Sequence, residues 1–241
     1  MAIAQPHERV QYIVEGGFTL SGEIEPSGNK NAALPIVAAA LLTGERVELT
    51  NVPRIRDIEV LVELIQSVGA EAKWLGRNHL EIKAENLRPA DLDPDLCARV
   101  RASILLAGPM LARCGEVVLP PPGGDVIGRR RVDTHFLALQ QLGAEIELKD
   151  GYLHAKAPNG LKGAVVEFSF ASVGATENVM MAATLAKGTT VLKNAAREPE
   201  IVDLATCLRK MGAQIEGDGT SEITIQGVDR LHGATHPVVA D

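Results

Sequence analysis

The chain has 241 residues, 46% of them hydrophobic and 23% charged, which suits a soluble globular protein large enough for a full apolar core. Aromatic residues make up only 3%, so that core must be aliphatic. A net charge of −7 offers no general attraction to nucleic acid or to an anionic membrane, so any anionic ligand must be held by local charge. The first ten residues lack the apolar stretch of a signal peptide, and the longest apolar run, near Leu34–Leu42, is too short to cross a bilayer. The expected compartment is the cytoplasm. Cys97, Cys114 and Cys207 form no CxxC pair and stand far apart, which favours small buried apolar residues over a disulfide or metal cluster.

In chain order, Gln11–Glu15 reads as a strand. A turn at Ser27–Asn31 then leads into an Ala/Leu-rich segment, NAALPIVAAALLTGERVELTN, predicted as a helix, a glycine and a strand. The segment RDIEVLVELIQSVGA follows as an amphipathic helix, with Ile58, Leu61, Val62 and Ile65 on one face. The same order recurs in RASILLAGPMLARCGEVVLPP and again in ENVMMAATLAKGTTVLKNA. Each amphipathic helix ends at a glycine, Gly69, Gly143 or Gly212, suited to a left-handed C-cap. A strand at Glu145–Leu148 is predicted to pair with Tyr152–Lys156 across Lys149–Gly151. The unit is helix, strand, helix, strand, strand. Three copies over residues 22–233 predict one closed α/β domain with the apolar helices inside. Segments 1–21 and 234–241 lie outside the repeats and read as pieces of something else.

Four places could carry chemistry. Ser27–Asn31 opens the first apolar helix: either a capping turn with a solvated Lys30, or an anion site made of backbone N–H groups and that cation. The stretch 120–133 holds three prolines, three glycines, Asp125 and Arg129–Arg131. It is either a solvated turn or a functional loop, with a proton-transferring acid and phosphate-binding guanidinium groups. Arg101 opens the second apolar helix, either snorkelling to water or binding an anion. Ala171–Thr176 opens the third, either as an N-cap or as another anion-binding helix start.

The motifs SGNKNAALPI, RASILLAGPMLAR, LPPPGGDVIGRRRVDTH, SVGATENVMMAATLA and NAAREPEIVDLA together resemble the enolpyruvyl transferases that act on UDP-N-acetylglucosamine. The resemblance implies an inside-out α/β barrel of three repeats, facing a second such domain that is mostly missing from this chain. Residues 1–21 would belong to that other domain, and 234–241 would begin the return to it. The implied reaction adds the sugar 3-hydroxyl to C2 of phosphoenolpyruvate and then expels phosphate, with no metal and no cofactor. Its partners would be those two small molecules and the missing half.

By the same resemblance, Lys30 and Asn31 contact phosphoenolpyruvate. Arg130 contacts both substrates. Arg101, Val132, Asp133, Thr134, Ser172, Val173 and Gly174 hold the nucleotide sugar. Asp125 protonates C3 of phosphoenolpyruvate, where many members carry the cysteine that the epoxide fosfomycin alkylates. Arg131 stands where a proline is common, and Phe170 where some members have lysine; both stay outside the expected site. The competing readings are a shikimate-type enolpyruvyl transferase and a non-catalytic nucleotide-sugar-binding half-protein.

Overall fold

A computed structural model describes residues 11–89, 92–124 and 131–241. The first unit is built from α1 (Lys30–Ala39), β1 (Arg46–Thr50), α2 (Arg56–Ser67), β2 (Glu71–Gly76) and β3 (His79–Lys83). The second is α3 (Pro94–Arg99), a 3-10 segment at Arg101–Leu106, α4 (Ala107–Cys114), β4 (Glu116–Leu119), α5 (Asp133–Gln141), β5 (Glu145–Lys149) and β6 (Tyr152–Lys156). After β7 (Val165–Glu167), the third unit is α6 (Val173–Ala183), β8 (Thr189–Lys193), α7 (Pro199–Lys210), β9 (Gln214–Glu216) and β10 (Glu222–Gln226), with β11 (Thr235–Pro237) last. No helix among the described residues is long and apolar enough to cross a membrane.

The apolar helices lie inside and the sheets outside, as an inside-out barrel requires. Along α1, residues 32–39 are all buried, and α6 is buried from Ala175 to Ala183. Helices that are apolar all round have no face to give to water and are stable only when surrounded. The amphipathic α2 keeps Arg56 and Glu63 outside and buries Ile58, Leu61 and Ile65 completely. Its terminating Gly69, like Gly143 and Gly212 in the other units, has φ near +100°, which a side chain would resist. The predicted β5–β6 hairpin forms with one residue of difference. Lys149 pairs with Tyr152, and Asp150–Gly151, both at positive φ, make the two-residue turn.

The ring closes through parallel edge strands. β7, which follows the second unit's hairpin, pairs with β8 of the third unit. β11, which follows the third unit's hairpin, pairs with β1 of the first. The second unit thus hands a strand to the third, and the third hands one to the first, while the β4-β6-β5 sheet of the second unit has no such added strand among the described residues. Two asparagines mark the same joint in two units. Asn51 and Asn194 both have φ of 55°, and their side-chain amides donate to Val238 O and Phe168 O, each at 2.9 Å. Two residues after the last buried leucine of β4, the matching place is Pro121. Proline cannot adopt positive φ, so there the chain leaves the pattern as the Pro/Gly loop.

β11 completes the first sheet, and His236 within it and Val238 just after it are buried. Residues 11–15 form no strand, and Tyr12, Ile13 and Val14 stand exposed, because an extended segment needs a sheet edge to hold it. Cys97 and Cys207 are buried as expected, whereas Cys114 is only half-buried at the end of α4.

Candidate functional site

The central helices pack against one another, α6 against both α1 and α4, and their starts hold equivalent places in the repeat. The three starts are built differently. At α1 the Asn29 side chain accepts from the backbone N–H groups of Asn31 (2.6 Å) and Ala32 (3.1 Å). The helix is therefore self-capped. Of the two readings of this turn, the structure shows the capping turn, and Lys30 and Asn31 stand exposed beside it. Lys30 Nζ pairs with Asp57 at 3.0 Å, in solvent.

The second start is not the first turn of a continuous α-helix. Arg101–Leu106 is 3-10, and α4 begins only at Ala107. Pro109 lacks an N–H and would crowd the carbonyl of Leu105 in an uninterrupted α-helix. Arg101 Nη2 donates to Arg131 O at 3.4 Å. The Pro/Gly loop enters beside it. Gly123 and Gly124 donate to the last carbonyls of α3, Cys97 O (2.9 Å) and Ala98 O (3.2 Å). A Cβ on Gly123 would sit 1.7 Å from Ala98 O, so only glycine passes there.

The third start, α6, is capped lightly. Ser172 Oγ accepts from Ala175 N at 3.4 Å, and no described residue takes the N–H groups of Val173 and Gly174. They face a cleft of about 590 Å³ lined by Arg101, Arg131, His135, Phe170, Ser172–Gly174 and Glu177, among others. Positive guanidinium groups and the positive end of a helix in one cleft favour an anion.

Of the predicted site residues, Arg101, Ser172, Val173 and Gly174 meet in this cleft. Asp133 lies at its rim, where Arg131 Nε donates to Asp133 Oδ1 at 3.0 Å and Nη2 bonds the second oxygen. The hydrogen bonds from Arg131, first of all, hold the Asp133 carboxyl below its ordinary range. Val132 lines a neighbouring apolar pocket under Pro120–Pro122, and Thr134 is buried. Lys30 and Asn31 stand at the α1 start, outside the lining of this cleft. Asp125 and Arg130 lie outside the described residues.

The structure adds four residues that the sequence reading left out. Arg131 lies over the Phe170 ring, 5.7 Å from its centre. Both line the cleft, at the two positions that depart from the family pattern. His135 packs on the α6 start so closely that a Cβ on Gly174 would lie 3.1 Å from its ring. Burial pushes the imidazole pKa down to about 4, aided by Arg101, and its Nδ1 lies 3.1 Å from Asn178 Nδ2, so the ring is a neutral acceptor there. Because the folded pKa is depressed, this histidine costs stability as pH falls from about 6.5 to about 4. Glu177 is the fourth.

A model of the EPSP synthase (3-phosphoshikimate 1-carboxyvinyltransferase) family matches residues 14–241. The chain belongs to that family. Among curated relatives, it is 62% identical over 232 residues to the UDP-N-acetylglucosamine 1-carboxyvinyltransferase of Bradyrhizobium diazoefficiens, covering 96% of this chain and 53% of that protein. It is 59% identical to the one from Dinoroseobacter shibae, covering 96% and 55%. Among solved structures, the enolpyruvyl transferase NikO from Streptomyces tendae superposes with a TM-score of 0.81 at 26% identity, over 94% of this chain and 53% of that one. An EPSP synthase from Acinetobacter baumannii gives 0.70 at 18% identity, over 91% and 50%, a likeness of fold alone. The chain spans about half the length of the curated relatives it matches.

Proposed function

We propose that the whole protein transfers the enolpyruvyl group of phosphoenolpyruvate to the 3-hydroxyl of UDP-N-acetylglucosamine, releasing phosphate. This is the first committed step of peptidoglycan precursor synthesis, carried out in the cytoplasm. The observation that carries the reading is the cleft itself. Arg101, Arg131 and the open start of α6 converge on one space, as binding a diphosphate requires. The high identity to UDP-N-acetylglucosamine 1-carboxyvinyltransferases supports this sugar nucleotide over shikimate 3-phosphate. In this reading the sugar 3-hydroxyl gives its proton to a base as its oxygen bonds C2 of phosphoenolpyruvate, and Asp125 delivers a proton to C3. The C2–phosphate bond then breaks as C3 gives a proton back. Arg101, Arg130, Val132–Thr134 and Ser172–Gly174 hold the nucleotide sugar, while Lys30, Asn31 and Arg130 hold the phosphoenolpyruvate anion.

The test is phosphate release from phosphoenolpyruvate by the protein completed with the portion its relatives carry beyond this chain. Release should require UDP-N-acetylglucosamine. Release without it, or equally well with shikimate 3-phosphate, would sink the proposal. The 241-residue chain alone should turn over little, since positioning both substrates takes the whole cleft.

Lys30→Met separates binding from folding. The Lys30–Asp57 pair is exposed, so its loss should move stability by at most about 1 kcal/mol. Losing a cation from a substrate phosphate should cost about 2–4 kcal/mol of transition-state stabilisation. Steady-state kinetics and a melting curve on the same preparation check this. A large fall in melting temperature with unchanged kcat/KM would assign Lys30 to the fold instead.

A further inference from the structure

Helix α6 carries a single ionisable side chain, Glu177, within a run of apolar and neutral polar residues. Glu177 is 3% exposed, and its Oε1 is buried with no hydrogen-bond partner among the described residues. The surface it retains belongs to the cleft lining. Val173 lies four residues earlier on the same helix face, and helical side chains tilt toward the N-terminus. Glu177 thus shares the cleft with the N–H groups of Val173 and Gly174, which no described residue takes. A buried polar group without a partner is costly, and a buried unpaired carboxylate far more so.

The groups around it decide its charge. The start of α7 brings Glu198 and Glu200 toward it, and both repel a second negative charge. From α5, His135 is neutral. Arg101, at the start of the 3-10 segment, and Arg131, just ahead of α5, are the cations among the described lining residues. Burial first, then Glu200 and Glu198, push the Glu177 carboxyl up to about 8, so it holds its proton at neutral pH.

We propose that Glu177 is a direct ligand contact in the cleft, its protonated carboxyl donating a hydrogen bond to a phosphate oxygen seated between the α6 start and Arg101. An O–H donor to an anionic oxygen is among the stronger hydrogen bonds, whereas a carboxylate in that place would repel the ligand. The inference rests on the nucleotide-sugar reading for the ligand's identity; its physics needs only a phosphate oxygen at the helix start.

The linkage has a definite sign. With a pKa near 8, about a tenth of Glu177 is neutral at pH 9, so affinity should fall about tenfold between pH 7 and pH 9. Binding above pH 8 should take up a proton. Glu177→Gln keeps the shape and a donor but cannot ionise, so it should bind like the native chain at pH 7, with a pH profile flat to pH 9 and no proton uptake. Glu177→Leu should bind weakly at every pH. The same raised pKa means that native stability is full below about 4.5 and is lost as pH rises through about 8, a loss that Glu177→Gln should not show.

The experiment is calorimetric titration of the 241-residue chain and both variants with UDP-N-acetylglucosamine, in two buffers of different ionisation enthalpy, at pH 7 and pH 8.5. Proton uptake by the native chain that is absent in Glu177→Gln is the expected result. Binding without proton uptake, with native and Glu177→Gln profiles superimposable, overturns the inference even if melting temperatures differ, since that is all a structural role would produce. Inorganic pyrophosphate is the second probe. A chain that ignores the nucleotide sugar but takes up a proton with pyrophosphate overturns the functional reading and upholds Glu177. A chain that binds neither overturns the Glu177 inference, while the functional reading stands or falls on phosphate release by the completed protein.

Discussion

Asn178→Ala is expected to lower the unfolding free energy by about 3–5 kcal/mol, because it leaves three buried groups without partners. Asn178 is fully buried at the crossing of α6 with the second unit. Its Oδ1 accepts from Gly108 N at 2.6 Å, and its Nδ2 donates to Ile104 O at 2.8 Å and lies 3.1 Å from His135 Nδ1. One amide thus satisfies a donor and an acceptor at the joint between the 3-10 segment and α4, and fixes the imidazole at the cleft floor. Asn178→Asp should be nearly as damaging, since a carboxylate can accept from Gly108 but cannot donate to Ile104. Gly108→Ala attacks the same contact from the other side, where a Cβ would meet Asn178 O at 2.3 Å. Urea unfolding of the chain and its variants gives the free energies. A loss below about 1 kcal/mol for Asn178→Ala would mean that water replaces the amide and that the joint is not the dry junction described.

The same joint shows what a sequence reader can and cannot reach. The three-unit repeat, the left-handed glycines at Gly69, Gly143 and Gly212, and the β5–β6 hairpin were legible because each depends on neighbours within a few residues. The closing strands β7 and β11 were not. Each is three residues long, and each is defined by a partner in the next unit, which no local pattern announces. The α1 start was legible as a capped helix, but which atoms the cap leaves for a ligand depends on where the Asn29 side chain turns. The motif resemblance named Arg101 and Ser172–Gly174, and the structure gathers them in one cleft. His135 and Glu177 join that cleft only because α5, α6 and α7 pack together. A signal for Glu177 was nonetheless present: an acid beside an amide, Asn178, in a helix of otherwise apolar and neutral residues. Arg131 and Phe170 were set aside as departures from a pattern, yet they stack on each other, so two changes that look unrelated in the chain meet in space.

The native protein, completed with the portion its relatives carry, is expected to keep its activity after incubation with fosfomycin, and Asp125→Cys to lose it in a time-dependent way. Alkylation of an epoxide needs a strong nucleophile. At pH 7.5 roughly a tenth of an ordinary thiol, pKa about 8.5, is thiolate, and thiolates attack far faster than carboxylates. The loop entry is fixed, since the Gly123 and Gly124 N–H groups are bonded to the end of α3 beside Arg101. Asp125 follows Gly124 directly in the sequence. The native thiols cannot substitute for it. Burial raises Cys97 to about 11 and Cys207 to about 12, and it also raises Cys114, which sits at the end of α4 before β4. All three therefore stay protonated at neutral pH. The variant should lose activity more than about tenfold faster than the native protein at equal inhibitor, given the nucleophilicity gap between thiolate and carboxylate. Phosphoenolpyruvate-dependent phosphate release before and after incubation gives the rates, and peptide mass mapping locates the adduct. Rapid inactivation of the native protein, with the adduct on Asp125 or Cys114, would overturn the role given to the loop. Slow inactivation of both proteins alike would show that residue 125 does not face the bound epoxide.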